Sequence, residues 1–308
     1  MPPTLTVENV DDLDFWRELF PEFSIDEAER ETPRFPVSDP DQLLECIRSE
    51  GYVRVPSVVP EDSVESVRRC IELLYEAGIP LPFAFVYDEL WELFRGAAAY
   101  IETLLGGDYL SLPVFWAWYV PPTDDAAGWK PHRDSTKPAI DEDNTPQALT
   151  VWLALSDATP LNGCIHALPL RLDDRFKYWA FAGEGSSMVL QPQNIRALPA
   201  SAGSLMAWNH NLLHWGGRAS RFAEGPRCSA AMEFQRADMQ PREIPAVDPT
   251  FMLTFQERLA LIGRMIVHYQ DTYPLAPEMA AAAVALWDRF IADVREEVAR
   301  EGNGEDAG

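Results

Sequence analysis

The chain has 308 residues, of which 47% are hydrophobic and 11% aromatic, and this composition predicts a globular protein with an ample core. Its formal net charge is −24, from 25 basic and 49 acidic residues, which argues against nucleic acid and anionic membrane surfaces as main partners. The start of the chain lacks a basic region followed by an apolar core, and no apolar run reaches membrane-spanning length, so neither a signal peptide nor a membrane span is expected. The four cysteines show no CxxC pairing, so we expect free thiols in a reducing cytoplasm.

The N-terminal part predicts an irregular arm followed by helices and one strand. Residues 1–37 are rich in acidic residues, proline and aromatics without a sustained period. Ser38-Asp39-Pro40 combines a capping side chain with a proline in the first turn, and Gly51 is a stop signal, so a helix is expected between them. The remaining predictions are a strand over 52–56, a helix opening at 60–62 and a helix over about 88–105.

The middle of the chain changes to short runs of aromatic and β-branched residues separated by Gly, Pro, Asn and Asp turns. This texture predicts an antiparallel sandwich or jelly roll. The runs are 113–120, 148–155, 163–168, 187–190, 204–208 and 227–235. After Pro249 the helical period returns. We therefore expect a single domain over 1–308, with N-terminal arm and helices at 1–110, a β core at 111–240 and C-terminal helices at 250–300.

The strongest candidates for metal ligands are in the His132-Arg133-Asp134 segment and at the distant His214. On an extended strand His132 and Asp134 project to the same face. Two histidines and one carboxylate can occupy one face of a metal and leave the other face open, which is the pattern of non-haem Fe(II) oxygenases. An isolated His-X-Asp is frequent in random sequence, so the motif gains weight only from the residues that follow it.

The other histidines are weaker candidates. His210 precedes His214 by four residues, a spacing that binds metals on helices, but the flanking strand and loop signals favour a polar turn residue. His166 lies in a predicted strand, where it is read as structural or as lining the pocket. His268 falls on a C-terminal helix and is read as structural.

From about Gln42 to Phe234 the chain resembles the phytanoyl-CoA dioxygenase (PhyH) family of Fe(II)/2-oxoglutarate-dependent oxygenases. The resemblance rests on motifs in a fixed order: the opening helix and Gly-Tyr-Val strand, His132-Arg133-Asp134, the Trp152 strand, Asn162-Gly163-Cys164, His214 and a downstream arginine. Where that family continues with a Pro-Gly-Ser-His type turn, this chain reads Leu168-Pro169-Leu170-Arg171. The departure leaves the metal motif intact.

The resemblance implies a mainly β, cupin-like fold, a double-stranded β-helix with flanking helices. It implies iron held by His132, Asp134 and His214, with 2-oxoglutarate and O₂ as cosubstrates. Neutral imidazoles and a carboxylate suit Fe(II), and an arginine fork suits the far carboxylate of 2-oxoglutarate. Of the three arginines that follow His214, Arg218 and Arg221 lie in a predicted loop.

Arg227 begins an apolar strand, and we predict it as the carboxylate anchor, with Ser229 sharing its face as a second donor. The alternative for Arg227 is a surface strand residue. Trp118 or Tyr119 is expected to reach cosubstrate or substrate by strand alternation, although core packing is the general expectation for such residues. Trp152 is read as packing beside 2-oxoglutarate or in the core.

The carboxylate of Asp134 favours oxygen insertion or desaturation over halogenation, because related halogenases have a small residue there. A CoA thioester would be repelled at −24 unless a basic patch exists, for which Lys130, Arg133 and Lys137 are candidates. A small metabolite or natural-product intermediate is the expected substrate.

Two alternatives stay open: a cupin-like metal enzyme that does not use 2-oxoglutarate, and a catalytically silent relative that binds a ligand or partner. The first alternative would not need the Arg227-Cys228-Ser229 segment, so the presence of that segment favours the use of 2-oxoglutarate. The intact set of predicted metal ligands argues against the second alternative. The sequence does not indicate an oligomeric state.

Overall fold

A computed structural model of the chain describes residues 4–26, 32–173, 191–270 and 275–304. The fold divides into two compact units that are interleaved along the sequence. Unit 1 comprises Met1–Arg30, Leu73–Trp91 and Phe251–Gly308, and unit 2 comprises Glu31–Glu72 and Glu92–Thr250. Every residue that the sequence singled out for the site lies in unit 2.

The helices in the described residues are α1 (Leu13–Leu19), α2 (Pro40–Glu50), α3 (Glu61–Glu76), α4 (Asp88–Gly96), α5 (Ala98–Leu105), α6 (Phe255–His268) and α7 (Pro277–Gly304). Helix α2 has the predicted ends: the Asp39 side chain accepts a hydrogen bond from Gln42 N, and Gly51 caps the C-terminus with φ of 85°. That left-handed conformation favours glycine and turns the chain directly into the next strand.

Two helical predictions were wrong in detail. The arm at 1–37 contains α1, whose N-cap Asp12 accepts a hydrogen bond from Asp14 N. The helix predicted over 88–105 is two helices, α4 and α5, separated at Ala97. Close packing accounts for the break, because Gly96 lies against the Phe35 ring and its carbonyl accepts a hydrogen bond from Phe35 N at 2.8 Å.

The strands in the described residues are β1 (Tyr52–Val55), β2 (Tyr109–Val120), β3 (Ala148–Ala154), β4 (Ile165–Leu168), β5 (Arg196–Leu198), β6 (Leu205–Asn209), β7 (Leu213–Gly216) and β8 (Arg227–Arg236). They form an antiparallel sheet of order β1-β6-β3-β8-β2 and a smaller one of order β5-β4-β7. The prediction of an antiparallel β core with flanking helices is confirmed. The sequence missed β5 and β7, and the strand predicted over 187–190 lies outside the described residues.

One buried cluster lies between the two sheets of unit 2 and defines their inner faces. Trp152, Met206 and Ala231 contribute to it from the larger sheet, and Ile165 and Ala167 from the smaller one. Side chains alternate along each strand, so every second residue shares the inner face with these anchors.

Unit 1 has its own core around a fully buried ion pair. Arg258 of α6 lies 2.6 Å from the carboxylate of Asp88 at the start of α4. The same guanidinium donates to the carbonyls of Val86 and Asp26. A buried pair is tolerated when its remaining donors are satisfied in this way. Within the part of the chain that the structure describes, no helix is long and apolar enough to cross a membrane.

Candidate active site

Backbone pairing brings His132 beside His214, although the two are far apart in sequence. Each residue donates its backbone N–H to the carbonyl of the other, both at 3.0 Å. The imidazole rings are consequently 4.4 Å apart between centroids. Asp134 follows His132 by two residues, and the three side chains converge although His132 and Asp134 lie outside the named strands.

Three ligand atoms face one another in this cluster. Asp134 Oδ1 lies 3.3 Å from His132 Nε2 and 3.6 Å from His214 Nε2. The Nδ1 atoms of His132 and His214 lie 2.7 and 3.1 Å from the backbone carbonyls of Lys130 and Leu212. A carbonyl only accepts, so each Nδ1 carries the proton and each Nε2 presents a lone pair in the neutral imidazole. The ligand atoms lie within 4.8 Å of one another, a spacing that can hold a metal ion.

The protonation states also suit a metal. Burial lowers the pKa of His214 to about 4, against the opposing attraction of Asp134, so the imidazole is neutral near pH 7. Burial by itself would raise the pKa of Asp134, but the neighbouring His214 and His132 side chains outweigh it and lower that pKa. The cluster therefore offers a carboxylate together with a neutral imidazole, which are the forms that bind metals.

The second oxygen of Asp134 is engaged by two donors. The hydroxyl of Thr150 donates to Oδ2 at 2.7 Å, and the indole N–H of Trp208 donates to it at 2.9 Å. The sequence analysis missed both residues. Thr150 was detectable as a polar residue inside the apolar run 149–155.

A second group of possible ligands shares Asp134 with the first. It adds His210 and Glu233, whose Nε2 and Oε2 atoms are 3.6 Å apart. His210 lies in the turn between β6 and β7, as expected, but it is buried. Glu233 was missed, although the alternation that pairs Arg227 with Ser229 along β8 places it on the same face.

Arg227 brings an unpaired positive charge into the interior. Its side chain is 2% exposed, its Nε has no hydrogen-bond partner, and no described carboxylate forms an ion pair with it. Burial lowers its pKa to about 10, so it is still charged at pH 7. The backbone of Gly128 comes close to it, because a Cβ at Gly128 would lie 3.0 Å from the guanidinium Nη2 and 2.7 Å from Gly216 Cα. A buried charge without a partner requires an anion or strong hydrogen bonding.

Ser229 shares the face of Arg227, as predicted, and Trp152 of the neighbouring strand lies on the same face. Trp152 pairs with Ala231, and Ala154 pairs with Ser229, so the registers of β3 and β8 place all these side chains on the inner face. The Ser229 hydroxyl and the Trp152 indole N–H are both buried without a hydrogen-bond partner among the described residues. Together with Arg227 they form a group of buried, unused donors on the inner face, which we call the pocket.

Tyr119 departs from the expectation. It pairs with Cys228, whereas Trp118 pairs with Ser229, so Tyr119 projects to the opposite face of the sheet from Arg227. The structure therefore separates Tyr119 from the pocket, and Trp118 is the residue that alternation brings to it. The sequence offered both, because the register of β2 against β8 is a long-range property.

Three partly buried tryptophans form an aromatic wall beside the histidines. Trp116 stacks on Trp118 at 5.7 Å and contacts Trp129 at 5.1 Å between ring centroids. Trp129 contacts the His132 ring edge-on at 5.8 Å. The wall runs from the core cluster, against which Trp116 packs, to the candidate ligands.

The remaining candidates lie outside the pocket. Arg218 and Arg221 are exposed; Arg218 donates a hydrogen bond to the backbone carbonyl of Asp124, and Arg221 forms an ion pair with its carboxylate. His166 stacks on Trp215. His268 is exposed at the end of α6.

The basic patch expected from Lys130, Arg133 and Lys137 is incomplete. Arg133 is buried, forms an ion pair with Asp173 at 2.6 Å and donates to the carbonyl of Asn211. Its charge is therefore directed inward, and only the two lysines are exposed.

Comparison with solved structures finds several similar chains. ThoJ, described as a non-haem monooxygenase in a nickel complex, is 16% identical with a TM-score of 0.51 over 84% of this chain and 99% of that chain. SnoK, an α-ketoglutarate-dependent carbocyclase from nogalamycin biosynthesis, is 19% identical with a TM-score of 0.48, over 69% and 90% of the two chains. HygX from Streptomyces hygroscopicus, with nickel and 2-oxoglutarate bound, is 17% identical with a TM-score of 0.45, over 68% and 96%. The likeness to ThoJ shows a shared fold.

Sequence comparison gives the family. No curated protein matches the chain. The model of the family described as phytanoyl-CoA dioxygenase (PhyH) matches residues 104–222, a span that includes His132, Asp134 and His214 but not Arg227. The resemblance that the motifs indicated is confirmed over this span. Residues 104–222 are therefore similar to the phytanoyl-CoA dioxygenase family.

Proposed function

We propose that this chain is an Fe(II)- and 2-oxoglutarate-dependent oxygenase that hydroxylates an unactivated C–H bond of a small metabolite. One observation carries the proposal: a two-histidine, one-carboxylate cluster lies in the same unit as a buried arginine that has no ion-pair partner among the described residues. The cluster fits a metal, and the arginine fits a carboxylate that the described residues do not supply.

Different residues would bind the metal and 2-oxoglutarate. His132, Asp134 and His214 would hold Fe(II) through Nε2, Oδ1 and Nε2, the atoms that face one another. Arg227 would anchor the far carboxylate of 2-oxoglutarate, and Ser229 would donate a second hydrogen bond to it. Fe(II) with 2-oxoglutarate and O₂ supplies the oxidising chemistry, which converts 2-oxoglutarate to succinate and CO₂. Burial of these donors excludes water from the pocket.

Two features bear on the reaction and the substrate. Asp134 supplies a carboxylate where halogenases have a small residue, which favours oxygen insertion or desaturation over halogenation. The net charge of −24 and the inward direction of Arg133 disfavour a polyanionic CoA thioester. The partly buried wall of Trp116, Trp118 and Trp129 supplies an apolar surface beside the candidate ligands, which suits a compact organic substrate.

The test is an anaerobic titration of 2-oxoglutarate into the Fe(II) protein, followed by the visible charge-transfer band of the chelate. We expect a band for wild type and a need for about 10- to 100-fold more 2-oxoglutarate for Arg227→Ala, because charge-assisted hydrogen bonds contribute about 1.5–3 kcal/mol. Arg221→Ala is the matched control, since Arg221 is exposed and paired with Asp124. Its titration is expected to match wild type.

The outcomes separate the candidate functions. Bound iron without a band would contradict the use of 2-oxoglutarate and favour a cupin-like metal enzyme of another kind. Absence of iron binding would favour a catalytically silent relative. A band that both arginine variants retain unchanged would remove Arg227 from the pocket while leaving the cofactor assignment intact. Succinate release and product analysis with candidate substrates then test hydroxylation itself.

A further inference from the structure

Two neighbouring strands direct a donor at the same oxygen of Asp134. Thr150 of β3 and Trp208 of β6 are cross-strand partners, so their side chains emerge side by side on the inner face. Both are buried, at 5% and 4% exposed, and both donate to Oδ2, at 2.7 and 2.9 Å. A carboxylate oxygen has about two lone pairs to offer, so Oδ2 is saturated.

Saturation of Oδ2 leaves Oδ1 as the one available ligand atom of Asp134. Oδ1 is also the atom that faces the two histidine Nε2 atoms. We infer that Thr150 and Trp208 are positioning residues that hold Asp134 as a single-oxygen metal ligand. This inference rests on the proposed function, because it concerns how that metal site is set.

The same two donors decide between the two overlapping ligand groups. The second group needs an oxygen of Asp134 in addition to His210 and Glu233. With Oδ2 occupied and Oδ1 directed at His132 and His214, the second group has no carboxylate oxygen from Asp134 to use. The metal therefore binds between the two histidines on the His132 side, and His210 stays a buried imidazole that does not bind it.

Trp208 has a further role that Thr150 lacks. Its ring lies 4.6 Å from the His214 ring between centroids, so one side chain contacts two of the three ligands. Loss of the indole N–H frees one lone pair of Oδ2, as loss of the Thr150 hydroxyl would, and Oδ2 could then act as a second ligand atom. Removal of a hydrogen-bond partner of a metal ligand typically weakens metal affinity by about 10- to 100-fold, and we expect a loss of about that size here.

The experiment measures Co(II) affinity and the Co(II) visible spectrum of the full chain without 2-oxoglutarate. Thr150→Val and Trp208→Phe are expected to bind Co(II) roughly 10- to 100-fold more weakly. Their visible bands should also be weaker, as expected for a higher coordination number. Thr150→Ser keeps the hydroxyl donor and is expected to retain the wild-type affinity and spectrum. His210→Gln is expected to match wild type as well.

The controls distinguish failure of this inference from failure of the proposed function. Wild type that binds Co(II), with Thr150→Val and Trp208→Phe unchanged in affinity and spectrum, would overturn the positioning role and leave the proposed function standing. Loss of binding in His210→Gln would place the metal in the second group and overturn the inference. Wild type that binds no Co(II) would overturn both. Trp208→Phe carries the test by itself if Thr150→Val does not fold, and circular dichroism monitors folding.

Discussion

At the scale of single residues, Arg227 has the least favourable environment of the pocket residues. Transfer of a guanidinium out of water costs several kcal/mol, and no described carboxylate offsets that cost here. The lowered pKa of Arg227, about 10, has burial as its main cause. Such a charge destabilises the ligand-free protein and becomes favourable only when an anion arrives.

We predict that Arg227→Met leaves the ligand-free protein as stable as wild type or more stable, by about 1–4 kcal/mol, because replacement of buried charges by apolar residues has that effect. Chemical denaturation of the metal-free protein measures it. Arg221→Met, at an arginine that is 69% exposed, serves as the control and should change little. A strong destabilisation by Arg227→Met would instead show that Arg227 is part of a structural network.

The backbone of Gly128 lies close to the Arg227 side chain, so a substitution at Gly128 tests the position of Arg227. We predict that Gly128→Ala weakens 2-oxoglutarate binding by about 10-fold or more, because the new Cβ would displace the Arg227 guanidinium, and such overpacking costs about 1–3 kcal/mol. Co(II) binding should persist, since the histidine ligands are not contacted by this Cβ. Gly225→Ala is the control, because no atom lies within 4 Å of its Cβ position. Equal 2-oxoglutarate affinity in both variants would contradict the close approach.

The stability of the metal-free protein should depend on pH through His214. Its folded-state pKa of about 4 lies below the ordinary value of 6.5, so the unfolded chain takes up the proton first as the pH falls. Stability is therefore complete above pH 6.5 and is lost as the pH falls towards 4, by up to about 3 kcal/mol. Denaturation of wild type and His214→Gln across this range measures the difference. Parallel pH profiles for the two proteins would contradict the prediction.

At the scale of elements, the turn from α2 into β1 fixes one edge of the larger sheet. Gly51 ends α2 with a positive φ, and β1 then pairs with β6, which carries Trp208. A Cβ at Gly51 would lie 2.7 Å from Leu170 Cγ. Both backbone conformation and packing therefore require glycine there.

We predict that Gly51→Ala destabilises the protein by about 2–4 kcal/mol, the sum of left-handed strain and overpacking. Gly78→Ala is the matched control, because Gly78 also has a positive φ but nothing lies within 4 Å of its Cβ position. It should lose only about 1–2 kcal/mol. Urea unfolding of the two variants measures both values, and equal losses would rule out the contribution from packing against Leu170.

At the scale of the whole molecule, the net charge of −24 produces self-repulsion in the folded chain. Screening of this repulsion should stabilise the protein, since the Debye length falls to about 8 Å at roughly 0.15 M ionic strength. We predict that Tm rises by a few degrees as NaCl is added at neutral pH. Differential scanning calorimetry over a salt series measures it, and a falling Tm would show that attractive ion pairs dominate instead.

The sequence by itself determined the features that depend on local periodicity and residue chemistry. Strand alternation predicted that Arg227 shares a face with Ser229, and both lie on β8. The same rule predicted that His132 and Asp134 lie close together, although their segment is not a regular strand. The capped helix α2 and its glycine stop follow from backbone preferences of single residues. The fold class was predicted from the short aromatic and β-branched runs separated by turn residues.

Only the tertiary structure decided features that depend on strand register and burial. Register places Tyr119 away from the pocket and sets Thr150 beside Trp208, which directs both donors at Asp134. Burial turns Arg133 inward, and it brings His210 next to Glu233. These contacts join residues that are distant in sequence, and a shift of one residue in pairing would reverse which side chains face the interior.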